Sequence, residues 1–228
     1  GHKGGLLGVD NGTIRFDHVR VPRTHLLDRY GGVTEQGEYV SAIESKNARF
    51  FTMLGTLVRG RICVAGAAGS ATRKALSIAT RYALQRRQFR APGLGEEVPL
   101  LDYLAHQRKL LPNLARAYAF GFAENELAEH LQRVSDAAGA DPIAARELET
   151  RAAGMKVAVT RWANDTVQLC REACGGAGYL SENGLTLIRQ DVDVFATFEG
   201  DNTVLGQLVA KALLLEYRKT WGDLDLRG

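Results

Sequence analysis

From Ser45 to Leu213 the apolar residues recur at spacings of three and four, the helical period, and the pattern breaks where Pro and Gly stand. The first stripe is Phe50, Phe51, Leu54, Leu57, Val58, Ile62 and Ala65, continuing through Leu76, Ala79, Tyr82 and Ala83 until APGLGEEVP interrupts it at Pro92 and Pro99. Within it GAAGSA, Gly66 to Ala71, places small residues at i and i+3, which reads as close helix packing. A second stripe runs from about Leu100 to Arg133 over Leu104, Leu111, Leu114, Ala115, Tyr118 and Phe122, with Pro112 inside it as an expected kink. Asp141-Pro142 opens a third helix, Asp as cap and Pro in the first turn, and Gly175-Gly176 closes it after about Ala173. A short helix is expected near Glu182 to Arg189. A last one opens at Asp201-Asn202 with the stripe Val204, Leu205, Leu208, Val209, Ala212 and Leu213. One-sided helices of this length bury their stripes against each other, so the expected fold is mainly α: an antiparallel four-helix bundle.

The first thirty residues differ. IRFDHVRVP alternates apolar and polar residues, with Ile14, Phe16 and His18 on one face and Pro22 ending the run, which predicts a strand. GVDNG before it and DRYGG after it are turn chemistry. Residues 1–31 therefore read as a short β remnant, 32–44 as a linker and 45–228 as the bundle. A lone strand cannot bury itself, and the chain starts GHKGG without Met, so a fragment of a longer protein is expected.

Composition excludes several classes. Apolar residues at 45% and charged residues at 24% are ordinary for a globular protein. A net charge of +3 with scattered basic residues gives no nucleic-acid footprint, and no run of ~18 apolar residues offers a membrane span. Cys63, Cys170 and Cys174 all fall in helical stretches; three such residues with no His beside them read as small buried side chains, with no disulfide framework or metal site.

Four places could carry chemistry. Glu199 follows Phe195 and Phe198 and precedes a capped helix start. A carboxylate held against aromatics can be a tuned base, or it can simply favour a helix N-terminus. CGGAGY, Cys174 to Tyr179, brings backbone N–H groups within reach of a ligand, or is only a helix end with a tight turn. RRQF, Arg86 to Phe89, ends the first helix with donors suited to pyrophosphate, or with cations that a helix C-terminus favours anyway. His106-Gln107 lies in a polar gap of the second stripe, where a lone His is commonly structural or exposed.

Taken in order, FDHVRVP, YALQRRQF, AHQ, REACGGAGY and TFEGDNTV resemble the acyl-CoA dehydrogenase and oxidase superfamily, and RFFTMLGTLV, REACGGAGYL and FEGDNTVL resemble its oxidase branch. The resemblance covers nearly the whole chain. It implies a C-terminal four-helix bundle after the end of a middle β domain, with FAD bound between them across a homodimer interface. By that resemblance Arg86 and Phe89 touch the flavin of the neighbouring subunit, and Gln107, with His106, makes a second such contact. Gly175 and Gly176 lie against the adenosine–diphosphate part. Glu172 stands where the dehydrogenases carry Gln, and Gly200, Asp201, Asn202 and Thr203 occupy a flavin-contacting region with different residues. Arg61 matches an Arg near the acyl-CoA site, and Glu199 matches the catalytic base.

The implied reaction is oxidation of acyl-CoA to trans-2-enoyl-CoA, with O2 reduced to H2O2 in an oxidase and an electron-transfer protein as acceptor in a dehydrogenase. A non-catalytic helical oligomerisation module is the alternative of another class. Compartment follows source: cytoplasmic if bacterial, peroxisomal if eukaryotic, although the chain ends DLDLRG without a peroxisomal tripeptide.

Overall fold

The structure, a computed structural model, describes residues 2–90, 92–93, 95–137 and 141–222, with the side chains of Phe51, Leu54 and Thr220 not among those described. The DLDLRG end and the Phe51 and Leu54 side chains of the first stripe therefore lie outside it. The elements are β1 (Gly32–Val33), β2 (Tyr39–Val40), α1 (Lys46–Leu54), α2 (Leu57–Gln85), β3 (Arg87–Arg90), β4 (Glu97–Pro99), α3 (Leu104–Asp136), α4 (Pro142–Ala173), α5 (Leu185–Asp193) and α6 (Asn202–Trp221). The molecule is mainly helical, with two small antiparallel hairpins, β1–β2 and β3–β4.

The third helix opens as its sequence dictates: the Asp141 carboxylate accepts from the Ile143 and Ala144 N–H groups, with Pro142 in the first turn. The last opens the same way, Asp201 accepting from Thr203 and Val204. The first stripe is two helices, because Gly55 and Thr56 interrupt it between α1 and α2. α3 continues through Pro112 to Asp136. Beside the proline, Asn113 donates to the Lys109 carbonyl and accepts from Trp162 (3.0 Å) and Thr166 (3.1 Å) of α4, a polar clasp across that point.

The ladder of contacts sets helix direction. Leu100 N–H reaches the Arg86 carbonyl at one end of α2 and α3, and Arg73 pairs with Glu124 further down, so the two run antiparallel. Arg151 meets Glu126 while Trp162 meets Asn113, so α3 and α4 are also antiparallel. α2 and α4 thus point the same way, and α6 packs back along α4.

The core is built from small residues. Ala65, Ala68, Ala75, Ala79 and Ala83 of α2 and Ala152, Ala153, Ala163 and Cys170 of α4 are buried, allowing the two backbones close approach. Of the GAAGSA stretch, Ala68 faces this core, while Gly69 admits the Glu124 carboxylate where a Cβ would stand.

The strand expected at Ile14–Pro22 does not form. The segment is exposed, Ile14 at 77% and Phe16 at 76%, bends at Asp17–His18, where His18 is left-handed (φ +49°), and pairs with no other strand among the described residues. Alternation alone makes no ladder without a neighbour to complete the backbone hydrogen bonds. The stretch before it does anchor: Leu6 N–H donates to Asp191 of α5 at 2.6 Å.

Candidate active site

Glu199 and Gly200 both have left-handed backbones, φ +54° and +102°, immediately before the Asp201 cap. Such a conformation is strained for a glutamate and persists where the surroundings over-determine it. The turn carries the Glu199 side chain onto α2: a Cβ on Gly60 would stand 2.5 Å from its Oε2. Oε2 is buried and has no hydrogen-bond partner among the described residues. A buried carboxylate oxygen left unpaired is costly to stability and calls for a reason. Phe195 is buried and stacks obliquely on Phe198, centroids 5.5 Å apart, in the short segment leading to the turn.

The turn is held from α4 by residues that the sequence reading missed. Lys156 is fully buried; its Nζ donates to the Gly200 carbonyl (2.6 Å) and to Asn202 Oδ1 (2.9 Å). Thr160, one turn on, donates to the Lys156 carbonyl and accepts from Asn202 Nδ2 at 3.0 Å. Burial draws the Lys156 ammonium below its ordinary pKa; the Asp201 and Glu199 carboxylates pull it back up, and Arg61 pushes it down. A signal was present: Lys156 interrupts a buried stripe of Ala152, Ala153, Val159 and Ala163, a position that only an anchored Lys tolerates.

Several expected contacts are engaged internally. Asp201 caps α6, and Asn202 belongs to the Lys156 network. Arg61 is turned inward, its Nη1 3.4 Å from Glu149, while its Nε is buried without a partner.

The remaining candidates gather at the opposite end of α2. RRQF does not simply end the first helix: Arg86 is its C-terminal cap and Arg87–Arg90 pairs with Glu97–Pro99. A bulge between Gln88 and Arg90 leaves Phe89 left-handed, φ +60°, and 67% exposed. Strand pairing across the Pro-containing break was not visible in a four-residue polar stretch. His106 and Gln107 lie in the first turn of α3, both half-buried. The His106 Nε2 is buried and unpartnered, and burial, helped by Lys109, lowers the pKa of its ring. Gly175, φ +55°, and Gly176 are exposed with open space beside them, while Gly178 packs its Cα on the Arg171 carbonyl. Glu172 is exposed and accepts from Gln168.

The candidates thus form two groups. Gly60 beneath Glu199 and the last residue of α2 beside Arg86 are 25 residues apart, about 38 Å along one helix. No single extended dinucleotide bridges that span within one protomer.

A family model described as acyl-CoA oxidase, C-alpha1 domain, matches residues 54–214. The chain belongs to the acyl-CoA oxidase family. It is 44% identical over 219 residues to the peroxisomal acyl-coenzyme A oxidase 2 of Arabidopsis thaliana, which covers 96% of this chain and 31% of that protein. Its fold matches acyl-CoA oxidase1 of Yarrowia lipolytica with a TM-score of 0.85 at 33% identity, over 100% of this chain and 34% of the other. It also matches acyl-CoA oxidase-1 of Caenorhabditis elegans, crystallised with FAD and ATP, with a TM-score of 0.84 at 30% identity, over 99% and 33%. The chain therefore spans about a third of the length of these acyl-CoA oxidases. Among the described residues no helix is long and apolar enough to cross a membrane.

The residues present suit the FAD that an acyl-CoA oxidase takes. An outward aromatic at Phe89, an unpartnered ring nitrogen on His106 and two open glycines offer a stacking face, a polar atom and bare backbone at one end of the bundle.

Proposed function

We propose that the chain is the base-carrying helical part of a flavoprotein acyl-CoA oxidase that converts acyl-CoA to trans-2-enoyl-CoA and O2 to H2O2. Glu199 carries this reading: a strained glutamate with an unpartnered buried oxygen, set over a residue with no side chain. Gly60 leaves room above α2 for that carboxylate, while Arg61, matched by resemblance to the acyl-CoA side, is buried and turned to Glu149.

The thioester makes the substrate's α-hydrogen weakly acidic. Glu199 removes it as a proton, the C–H electron pair becomes the new π bond, and the β-hydrogen leaves with its pair as hydride. Bound FAD supplies the acceptor for that hydride and the route by which two electrons, with two protons, reach O2.

The two-group arrangement supports a homodimer that shares its flavins. Arg86, Phe89, His106 and Gln107, with Glu172, Gly175 and Gly176, would serve the flavin beside the other protomer's base. Gly200, Asp201, Asn202 and Thr203 would flank the flavin beside their own Glu199, Asp201 and Asn202 through their backbone, since their side chains are engaged. The names of the plant relatives favour a peroxisomal setting.

The test is Glu199→Gln in the full-length holoenzyme, assayed for flavin bleaching under acyl-CoA and for H2O2 release. Bound flavin with turnover abolished is expected; retained turnover would remove Glu199 from the reaction. Bleaching of the wild-type flavin without H2O2 would make the protein a dehydrogenase.

A further inference from the structure

Lys156 is out of place for packing. It stands on α4 among alanines and Val159, fully buried, where a side chain of similar length without charge would fill the volume and leave no ammonium to desolvate. Its charge has two partners, both in the turn that carries Glu199. Nζ donates to the carbonyl of Gly200, the residue directly after Glu199, at 2.6 Å, and to Asn202 Oδ1 at 2.9 Å. Thr160 closes the set by accepting from Asn202 Nδ2 at 3.0 Å while tied to the Lys156 carbonyl at 2.7 Å. The Gly200 carbonyl belongs to the second of two consecutive left-handed residues, so its direction is set by the torsions of that turn. Fixing that oxygen fixes the Gly200–Asp201 peptide, and, since only the Gly200 torsions separate that plane from Glu199, it restrains where the carboxylate lies over Gly60.

We propose that Lys156 is a positioning residue for Glu199: its ammonium clamps the Gly200 carbonyl and Asn202, holding the strained Glu199–Gly200 pair in the one conformation that aims the carboxylate at the substrate's α-hydrogen. The proposal rests on the assignment of Glu199 as base. The charged groups that act on Lys156, namely Asp201, Glu199 and Arg61, all belong to that turn or to the α2 residue beside Gly60. Lys156 does not touch the reacting atoms; it acts through one peptide bond. A helix-start clamp of purely structural purpose would leave the chemical step unchanged once the protein is folded.

The experiment compares Lys156→Met with wild type in the full-length holoenzyme, measuring flavin content, thermal midpoint, KM, kcat and the kinetic isotope effect with α-deuterated acyl-CoA. Methionine keeps the length and loses the charge and both hydrogen bonds. The expected result is bound flavin, KM within a few-fold, kcat lower by about 10²-fold, the loss that a base misplaced by about 1 Å brings, and a larger isotope effect as α-proton removal becomes slower. Unchanged kcat and isotope effect, or a kcat loss no larger than the loss of bound flavin, overturns the proposal. If Lys156→Met yields no folded holoenzyme, Thr160→Val, which removes the Asn202 contact at constant volume, decides in its place by the same two readouts. Glu199→Gln run in parallel separates the two failures: retained turnover there overturns the base assignment, whereas a dead Glu199→Gln beside an unaffected Lys156→Met overturns the clamp alone.

Discussion

At the scale of single residues, the least conspicuous one carries much of the site. Gly60 is an ordinary helix position except that a Cβ there would meet Glu199 Oε2 at 2.5 Å and Cδ at 2.8 Å. Alanine favours a helix interior over glycine by about 1 kcal/mol, so Gly60→Ala is expected to leave the thermal midpoint unchanged or slightly higher. The displaced carboxylate should nevertheless lower kcat by about 10²-fold, and steady-state kinetics beside a thermal melt checks the dissociation of the two effects. The thiols divide equally sharply. Burial, with Cys174 nearby, pushes the Cys170 thiol up to about 12, and burial raises Cys174 as well. Cys63, expected to be buried like them, is exposed on α2. Brief alkylation of the native chain at neutral pH should label Cys63, leaving Cys170 and Cys174 unmodified until denaturant is added, as read by peptide mass mapping.

At the scale of elements, the two capped helices allow opposite tests. The Asp141 carboxylate satisfies two N–H groups at the start of α4, and Asp141→Ala should cost about 1 kcal/mol. Denaturant unfolding should show an earlier midpoint with an unchanged slope. Asp201 serves α6 and titrates. The Thr203 and Val204 N–H groups hold its carboxyl below the ordinary carboxylate range. A depressed folded-state pKa means that the unfolded chain binds more protons in that window, so stability rises with pH there. The contribution is complete above the ordinary range and is lost as pH falls through the folded value. Asparagine caps as well as aspartate but does not titrate. Asp201→Asn should therefore show a smaller stability loss between about pH 6 and about pH 3 than the parent, measured by unfolding at each pH.

At the scale of the whole molecule, the separation of the two residue groups along α2 is the property with most consequence. If each flavin is served by Glu199 of one protomer and Arg86 of the other, two inactive variants can rescue each other. Subunits with Glu199→Gln co-expressed with subunits with Arg86→Glu should form mixed dimers with one intact site. Random pairing then returns about a quarter of wild-type activity in the unsorted mixture and about half in the mixed dimers alone. Differently tagged subunits, purified through both tags, check this, and mixed dimers as inactive as the parents would place both groups on one protomer's flavin. Arg86, Phe89, Gly175 and Gly176 are all exposed at that far end of the bundle.

The helices themselves were legible in the sequence, because their period and caps are local. Asp141-Pro142 and Asp201-Asn202 mark starts by the side-chain chemistry of one or two residues, and Gly175 marks an end by its left-handed backbone. Glu199 stood out through its neighbours in the chain. The apolar alternation at Ile14–Pro22 misled, since strand pairing depends on a partner that no local pattern supplies. The β3–β4 hairpin was hidden for the same reason. Lys156, Thr160 and Gly60 lie far from Glu199 in sequence, and only the packing of α2, α4 and the turn before α6 brings them to it. Local residues determined which segments are helices and where they begin. Tertiary structure decided which buried charge clamps which carbonyl and how far apart the two halves of the site stand, because those are distances between segments and no local pattern encodes them.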